Sequence, residues 1–405
     1  MKHLYILCII LCLNACNSSV NNESKLDRER NIHQSMLTID SHADTPLNIM
    51  RKGQDLSIRG DSRKGGSKID FPRMKEGGLD GAFFAVYVGQ GPRNPEGNEK
   101  ARQTALTIFD SLHAVINRYP DLVQQGLIAD DLRKINISGK LAIYIGIENG
   151  YVIGTDIGML KKYYDLGARY ITLCHSFNND ICDSSTDPDG PEHNGLSEFG
   201  KEVVREINKL GMMIDVSHVS DKTFYDILEI SKAPVIASHS SAKALCDNPR
   251  NLDDEMLLAL ADNYGVIQVC TVSEYLKEIP AYPSRDSAKQ AVISKYGNYY
   301  KLPSAEQEVF LDAWFAVDSL YPPILATVSD FVDHIDHIVE VAGIDHVGIG
   351  TDFDGGGELE NCYDVSEIEN ITFELLKRGY TEDEIQKIWS GNLLRVFREV
   401  EKMKE

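Results

Sequence analysis

Positive charge is scarce in this 405-residue sequence, with 41 Lys and Arg against 62 Asp and Glu and a formal net charge of -21. Nucleic acids and anionic membrane surfaces reward basic patches, so both are poor partners for such a chain. Long apolar runs are missing too. The one conspicuous run, residues 4–13, is too short to cross a bilayer and excludes a multi-span fold. Cysteine is sparse and badly spaced for chemistry. Cys8, Cys12 and Cys16 fall near the N-terminus, and Cys174, Cys182, Cys246, Cys270 and Cys362 form no C-x-x-C pair. That argues against a disulfide framework or a Cys-rich zinc site, and leaves room for one incidental disulfide at most. Tandem repeats and low-complexity segments are lacking as well. With 42% hydrophobic and 25% charged residues, the composition is that of an ordinary globular protein rather than a disordered one.

The N-terminal segment reads as a targeting signal. Lys2 and His3 precede the apolar run, which ends in Leu13-Asn14-Ala15-Cys16 before a polar tract. This pattern resembles a bacterial lipoprotein signal. The expected organisation is a signal peptide over 1–15, a lipidated Cys16 with a flexible tether over 16–35, and a single domain over 36–405. The mature protein is then expected to be exported and held to a membrane by acyl chains, facing the periplasm or the cell surface.

From residue 36 onward, short Val- and Ile-rich runs alternate with amphipathic stretches. The expected strands are 37–41, 81–88, 141–147, 169–174, 212–217, 234–238, 265–270 and 346–351. Helical patterns lie between them, among them 100–118, 196–210, 221–231 and 253–262, with Asp221 expected as an N-cap and Gly211 as a C-terminal stop. Eight such alternations predict an α/β fold, a (β/α)8 TIM barrel. Helices are expected over 364–378 and 381–404 after the last strand. Residues 271–345 are too long for a simple crossover and form an insertion between strands 7 and 8, with a helix over 325–341. Their aromatics, Tyr275, Tyr282, Tyr296, Tyr299, Tyr300, Trp314 and Phe315, suit a substrate wall or lid and suit a dimer contact equally.

Chemistry-bearing side chains collect at the strand ends. His42 and Asp44 follow the first strand, and a period of two puts both on one side. Glu148 ends the third strand, His175 the fourth, His218 the fifth, His239 the sixth and Asp352 the eighth. Any one of these is as readily a satisfied core or loop residue. Acids and imidazoles at six of eight strand ends are a different matter, because active sites of this fold form at the C-terminal ends of the strands. Zinc takes imidazole and carboxylate ligands, and a single ion needs only about three from the protein. His42, Asp44, Glu148, His218 and His239 make five. A shared Glu148 lets them serve two ions, with His42 and Asp44 on one side and His218 and His239 on the other. Two ions about 3.5–4 Å apart can bridge a hydroxide and activate it for hydrolysis.

Several stretches carry a family resemblance: Asp40-Ser41-His42-Ala43-Asp44-Thr45-Pro46, Ile145-Gly146-Ile147-Glu148-Asn149, Leu173-Cys174-His175-Ser176, and the run from Met213 to Ser220. The run from Ala233 to Ala242, the pair Arg250-Asn251, the run from His346 to Gly355 and the run from Gly391 to Phe397 extend it. The sequence resembles the membrane (renal) dipeptidase family, binuclear-zinc peptidases of the amidohydrolase superfamily. The resemblance implies two Zn2+ per chain, bridged by Glu148 and completed by His42, Asp44, His218 and His239. It implies that His175 binds substrate and polarises the scissile carbonyl, that Arg250 and Asn251 bind substrate, and that Asp352 is the acid/base. The implied reaction is hydrolysis of a dipeptide by a hydroxide held between the metals, with a D-residue often tolerated at the C-terminal position. The planar guanidinium of Arg250 suits a carboxylate. Another amide hydrolase, a deacylase or lactamase acting on carboxylate-bearing substrates, is the alternative; a non-catalytic binding lipoprotein fits the intact ligand set less well. A homodimer is compatible with the sequence.

Overall fold

The computed structural model describes residues 25–405 except 298, 300 and 301. The expected signal over 1–15, the lipidation at Cys16 and the aromatic Tyr300 therefore lie outside the described residues. Residues 25–35, expected as the end of a flexible tether, are instead helical. The reason is visible in the packing. Arg30 holds Glu369 through Nε and Nη2, and buried His33 bonds Thr372 and the Gly77 carbonyl while packing edge-on against Trp389.

Nine strands make one sheet: β1 Ile39–Ala43, β2 Gly81–Tyr87, β3 Val123–Gln125, β4 Leu141–Glu148, β5 Ala168–Thr172, β6 Met213–Asp215, β7 Ile236–Ser240, β8 Val266–Val269 and β9 Val347–Ile349. The order is β1-β2-β4-β5-β6-β7-β8-β9, every pairing is parallel, and β3 adds to β4 off this path. The eight expected strands are thus the eight barrel strands. The ninth, β3, is too short to leave a periodic signal.

β1 and β9 close the ring. Ala43 bridges Phe353 in parallel, Asp44 N donates to Phe353 O at 2.8 Å, and Asp352 N donates to His42 O at 3.0 Å. Beneath that seam, buried Asp40 accepts from the Thr351 amide at 2.9 Å and the Thr351 hydroxyl at 2.5 Å. Burial pushes its carboxyl up to about 6.

Strand alternation divides the core in two. Ile39, Phe83, Ala142, Tyr144, Tyr170, Met213, Ile236 and Val266 fill the barrel interior, where Phe397 and Val400 of the last helix, Asn392–Glu401, join them. The intervening residues, such as Phe84, Ile143, Ile171, Ile214 and Ile267, face the surrounding helices. Gly211 ends its helix in the left-handed region (φ 67°) as expected. The cap before the helix Asp221–Ile230 is Ser220, whose hydroxyl accepts from Thr223 N, and Asp221 is the first helical residue. The continuous helix expected over 381–404 is broken into Glu382–Gln386, a π turn over Lys387–Gly391 and Asn392–Glu401.

The insertion after β8 is mostly helical. Pro283–Tyr296 and Ser304–Leu320 form a hairpin around Val292, Phe310 and Val317, clasped where Asp318 accepts from Arg285 and Lys289. Arg51, in the helix that follows β1, lies 5.5 Å from the Tyr299 ring centroid and ties the hairpin to that side of the barrel. The five cysteines at 174, 182, 246, 270 and 362 are unpaired. No helix among the described residues is long and apolar enough to cross a membrane.

Candidate metal centre

The ends of β1, β4, β6 and β7, with the residues just past β5 and β9, bring the expected side chains together. Three overlapping sets have ligand atoms within 4.8 Å of one another: His42, Glu148 and His239; Glu148, His175 and His218; His42, Asp44 and Asp352. All five expected ligands converge, and His175 and Asp352 join them. Glu148 is central. Its Oε2 lies 3.5 Å from His42 Nε2, whereas its Oε1 lies 3.1 Å from His218 Nε2, 3.5 Å from His239 Nε2 and 3.7 Å from His175 Nε2. One carboxylate therefore addresses two groups of imidazoles.

The backbone is bent to achieve this. Asn149 (φ 76°), His218 (φ 72°) and Asp352 (φ 58°) adopt left-handed conformations just past their strands. Such conformations are costly for non-glycine residues and concentrate at functional sites. Gly146 is needed for a different reason. A Cβ there would fall 2.1 Å from the Tyr170 ring, and that ring carries the hydroxyl that bonds His42 Nδ1 at 2.7 Å.

These residues fit divalent cations. His42 Nε2 and Asp44 Oδ1 are buried polar atoms without a hydrogen-bond partner, a costly state unless another ligand meets them. Histidine nitrogens and carboxylate oxygens are the donors that zinc and similar ions accept. On the side of His218 and His239 the protonation pattern agrees. Burial, together with Arg250 and neighbouring imidazoles, holds His218 and His239 well below the usual histidine range, so both offer lone pairs at neutral pH, and burial also lowers His175. Burial works against a charged Glu148, but the imidazoles of His42 and His175 hold its carboxyl well below the usual range. Burial and the charge of Glu148 push Asp44 well up, and burial raises Asp352 to about 7. Burial likewise opposes a charged His42, yet Glu148, Asp44 and Asp352 push it up to about 10.

Metal removal should therefore make stability depend on pH. The His42 value lies above its ordinary 6.5, so its contribution is complete below that pH and is lost as pH rises through about 10. Asp44 and Asp352, also raised, act in the same direction. Chelated protein is expected to lose about 1 kcal/mol of stability per pH unit from pH 7 to 9. Metal-loaded protein should lose little, because the cations replace those protons. Thermal melts at pH 7, 8 and 9 with and without chelator check this, and a flat profile for the chelated protein would contradict it.

The mouth holds the remaining expected residues. Arg250 is buried, lies 5.4 Å from the Tyr275 ring centroid and donates from Nη2 to the His239 carbonyl at 3.1 Å, while its Nε is unpartnered. The His175 side chain is 22% exposed and faces Tyr87 at 4.8 Å between ring centroids. Asn251 is bonded to the backbone around it. Its Oδ1 accepts from Ser241 N, and its Nδ2 donates to the carbonyls of Cys246 and Tyr275. These bonds make Asn251 a support of the turn that presents Arg250, and its Oδ1 keeps a second lone pair. Sequence reasoning assigned no role to Asp40, Tyr170, Asp215 or Gly355. An acid inside an apolar strand, as at Asp40 and Asp215, was the available signal, since burying one demands partners.

Comparison with known proteins agrees with this geometry. The family described as membrane dipeptidase (peptidase family M19) matches residues 26–405. Dipeptidase tcpJ of Claviceps purpurea is 33% identical over 338 residues, covering 82% of this chain and 69% of the relative. Dipeptidase 3 of Rattus norvegicus is 33% identical over 375 residues, covering 91% of this chain and 66% of the relative. The chain thus spans about two thirds of the length of these curated relatives. The crystal structure of the probable dipeptidase PvdM from Pseudomonas aeruginosa is similar with a TM-score of 0.81 and 30% identity, covering 94% of this chain and 99% of that one.

Proposed function

The chain belongs to the membrane dipeptidase family, peptidase family M19, and from that membership and its site we propose that it is a binuclear zinc dipeptidase. The observation that carries the metal assignment is the division of Glu148, with Oε2 toward His42 and Oε1 toward His218 and His239. His42, Asp44 and Glu148 would hold one zinc, and Glu148, His218 and His239 the other. When bound, the pair supplies a water of lowered pKa and electrophilic pull on the peptide carbonyl.

The chain's own residues do the rest. Arg250 offers its unpartnered edge to the C-terminal carboxylate of the dipeptide and so fixes which bond lies over the centre. His175, with Nδ1 bonded to Ser176 Oγ at 2.9 Å, directs Nε2 toward the centre and donates to the carbonyl oxygen as it gains charge. Asp352, raised to about 7 by burial, takes the proton of the attacking water and returns it to the departing amine nitrogen. The hairpin around Val292 and Phe310 serves as a wall of the mouth, a role supported by the Arg51–Tyr299 contact.

Beyond the substrate, the proposed partners are a membrane reached through acyl chains on Cys16, placing the enzyme outside the cytoplasm, and a second copy of the chain meeting the hairpin. The segment ending in Cys16 supports the first, and the exposed Val309 and Leu320 of that hairpin support the second.

Purified protein should carry two zinc ions per chain and hydrolyse dipeptides in a chelator-sensitive way. Fewer than one zinc with no such activity would overturn the reading. Arg250→Ala tests whether recognition of a C-terminal carboxylate sets the preference for dipeptides. KM for dipeptides should rise at least about 10-fold, with little change for an amide lacking the C-terminal carboxylate. Equal changes for both substrates would show that Arg250 does not hold that carboxylate.

A further inference from the structure

Directly beneath the centre, one buried acid joins three of the strands that carry it. Asp215 ends β6 with its side chain on the inner face, in line with Met213 of the barrel interior. It is completely buried and receives four donors. Oδ2 accepts from Thr172 Oγ1 of β5 at 2.5 Å and from Ser238 Oγ of β7 at 2.7 Å. Oδ1 accepts from the backbone amides of Ser217 at 3.0 Å and Ser238 at 2.8 Å. Each of these partners sits a few residues or fewer from His175, His218 or His239.

The Ser238 bond carries a directional consequence. A hydroxyl has one proton, and Ser238 donates it to Asp215 Oδ2. Ser238 Oγ also lies 2.8 Å from His239 Nδ1, so there it can only accept. Nδ1 of His239 must therefore hold the ring proton, which leaves Nε2 with its lone pair aimed at Glu148, 3.5 Å away. The centre's other imidazoles lack such a constraint. His42 Nδ1 meets the Tyr170 hydroxyl, which can give or accept, and His218 Nδ1 is buried without a partner.

We infer that Asp215 is a positioning residue that, through Ser238, sets the tautomer of His239 and thereby makes it a metal ligand. The inference rests on the two-metal reading above. It predicts more than a loss of order on substitution. In Asp215→Asn the oxygen keeps the two backbone amides, and the new NH2 group donates to Thr172 and Ser238. Ser238 must then turn its proton toward His239 Nδ1. That drives the ring proton to Nε2, where it blocks the metal.

Zinc affinity measured by chelator competition on the full-length protein tests this, with Asp215→Asn, Ser238→Ala and the double variant. Asp215→Asn should weaken one of the two zinc sites about 100-fold and Ser238→Ala about 10-fold, the range typical of groups that orient metal ligands. Because Asp215 acts through Ser238, the double variant should bind no more weakly than Asp215→Asn alone. In metal-free protein, 15N spectra of labelled histidine should show His239 protonated at Nδ1 in the wild type and at Nε2 in Asp215→Asn. A purely structural role would leave that tautomer unchanged. Should Asp215→Asn not fold, Ser238→Ala still reads the link, since it spares both backbone bonds of Asp215. A wild type with two zinc ions whose Ser238→Ala variant binds as tightly, or penalties that multiply in the double variant, would overturn the inference alone. A wild type that binds no zinc overturns the two-metal reading and this inference with it.

Discussion

Glu148→Gln is expected to strip both metals and to lower kcat/KM for dipeptides by at least about 1,000-fold. The amide matches the carboxylate in shape, so the barrel should remain folded. Its chemistry does not match. One of its two ends becomes an NH2 donor, which must face either His42 Nε2 at 3.5 Å or the pair His218 and His239 at 3.1 and 3.5 Å. Whichever side receives the amide loses a ligand, and both lose the negative charge they share. The His218 and His239 Nε2 atoms already lie 2.9 Å apart, a separation that suits two lone pairs only if a cation or a proton lies near both. Metal analysis, circular dichroism and steady-state kinetics on one preparation would check the expectation. A fully active variant with two zinc ions would show that Glu148 does not bridge.

Gly355→Ala should be nearly as damaging, although the change adds a single methyl group. Gly355 lies in the turn after β9, and its amide donates to the Asp352 carbonyl at 3.1 Å. A Cβ at this position would stand 2.2 Å from Asp352 Oδ1 and 2.3 Å from Asp44 Oδ2. Both contacts are far inside van der Waals distance, so one or both carboxylates must move by about 1 Å. Displacement on that scale costs about 100-fold in rate where reacting groups need alignment. The turn itself is exposed to solvent on its far side at Gly356, so a loss of fold is not expected. The expected signature is a drop in kcat with a weakened zinc on the Asp44 side and an unchanged site around His218 and His239. Normal kcat in a folded Gly355→Ala protein would mean that these two carboxylates do not work at their observed positions.

The barrel and the centre were legible in the sequence to different depths. The strands declared themselves because buried parallel strands are short and continuously apolar, and the acids and imidazoles at their ends interrupt those runs. His42, Glu148, His218 and His239 could be named for that reason. Asp215 lies in the same strand run, but its task is not readable there, because its meaning depends on Thr172 and Ser238 of neighbouring strands, which lie far off in sequence. Gly355 was invisible for a related reason, since the need for a missing side chain appears only when Asp44 arrives from the other end of the chain. For Asn251 the resemblance implied a substrate contact, and its bonds to the carbonyls of Cys246 and Tyr275 became visible only in the fold. Local patterns also failed at Ser220, where an acid one position later is an equally good cap. In the last helix nothing in the apolar periodicity announces the π turn over Lys387–Gly391.

The joint between β1 and β9 has a further meaning. His42 and Asp44 stand on one lip of it and Asp352 on the other, linked by Asp352 N to His42 O and Asp44 N to Phe353 O. About 310 residues separate those lips, so their contact is among the most non-local in the chain, and such contacts carry a large loop-closure cost. A cation captured there binds only the finished ring, and whatever binds only the native state stabilises it by mass action. A cation held between the two lips would therefore stabilise the closed ring over every state in which the lips are apart.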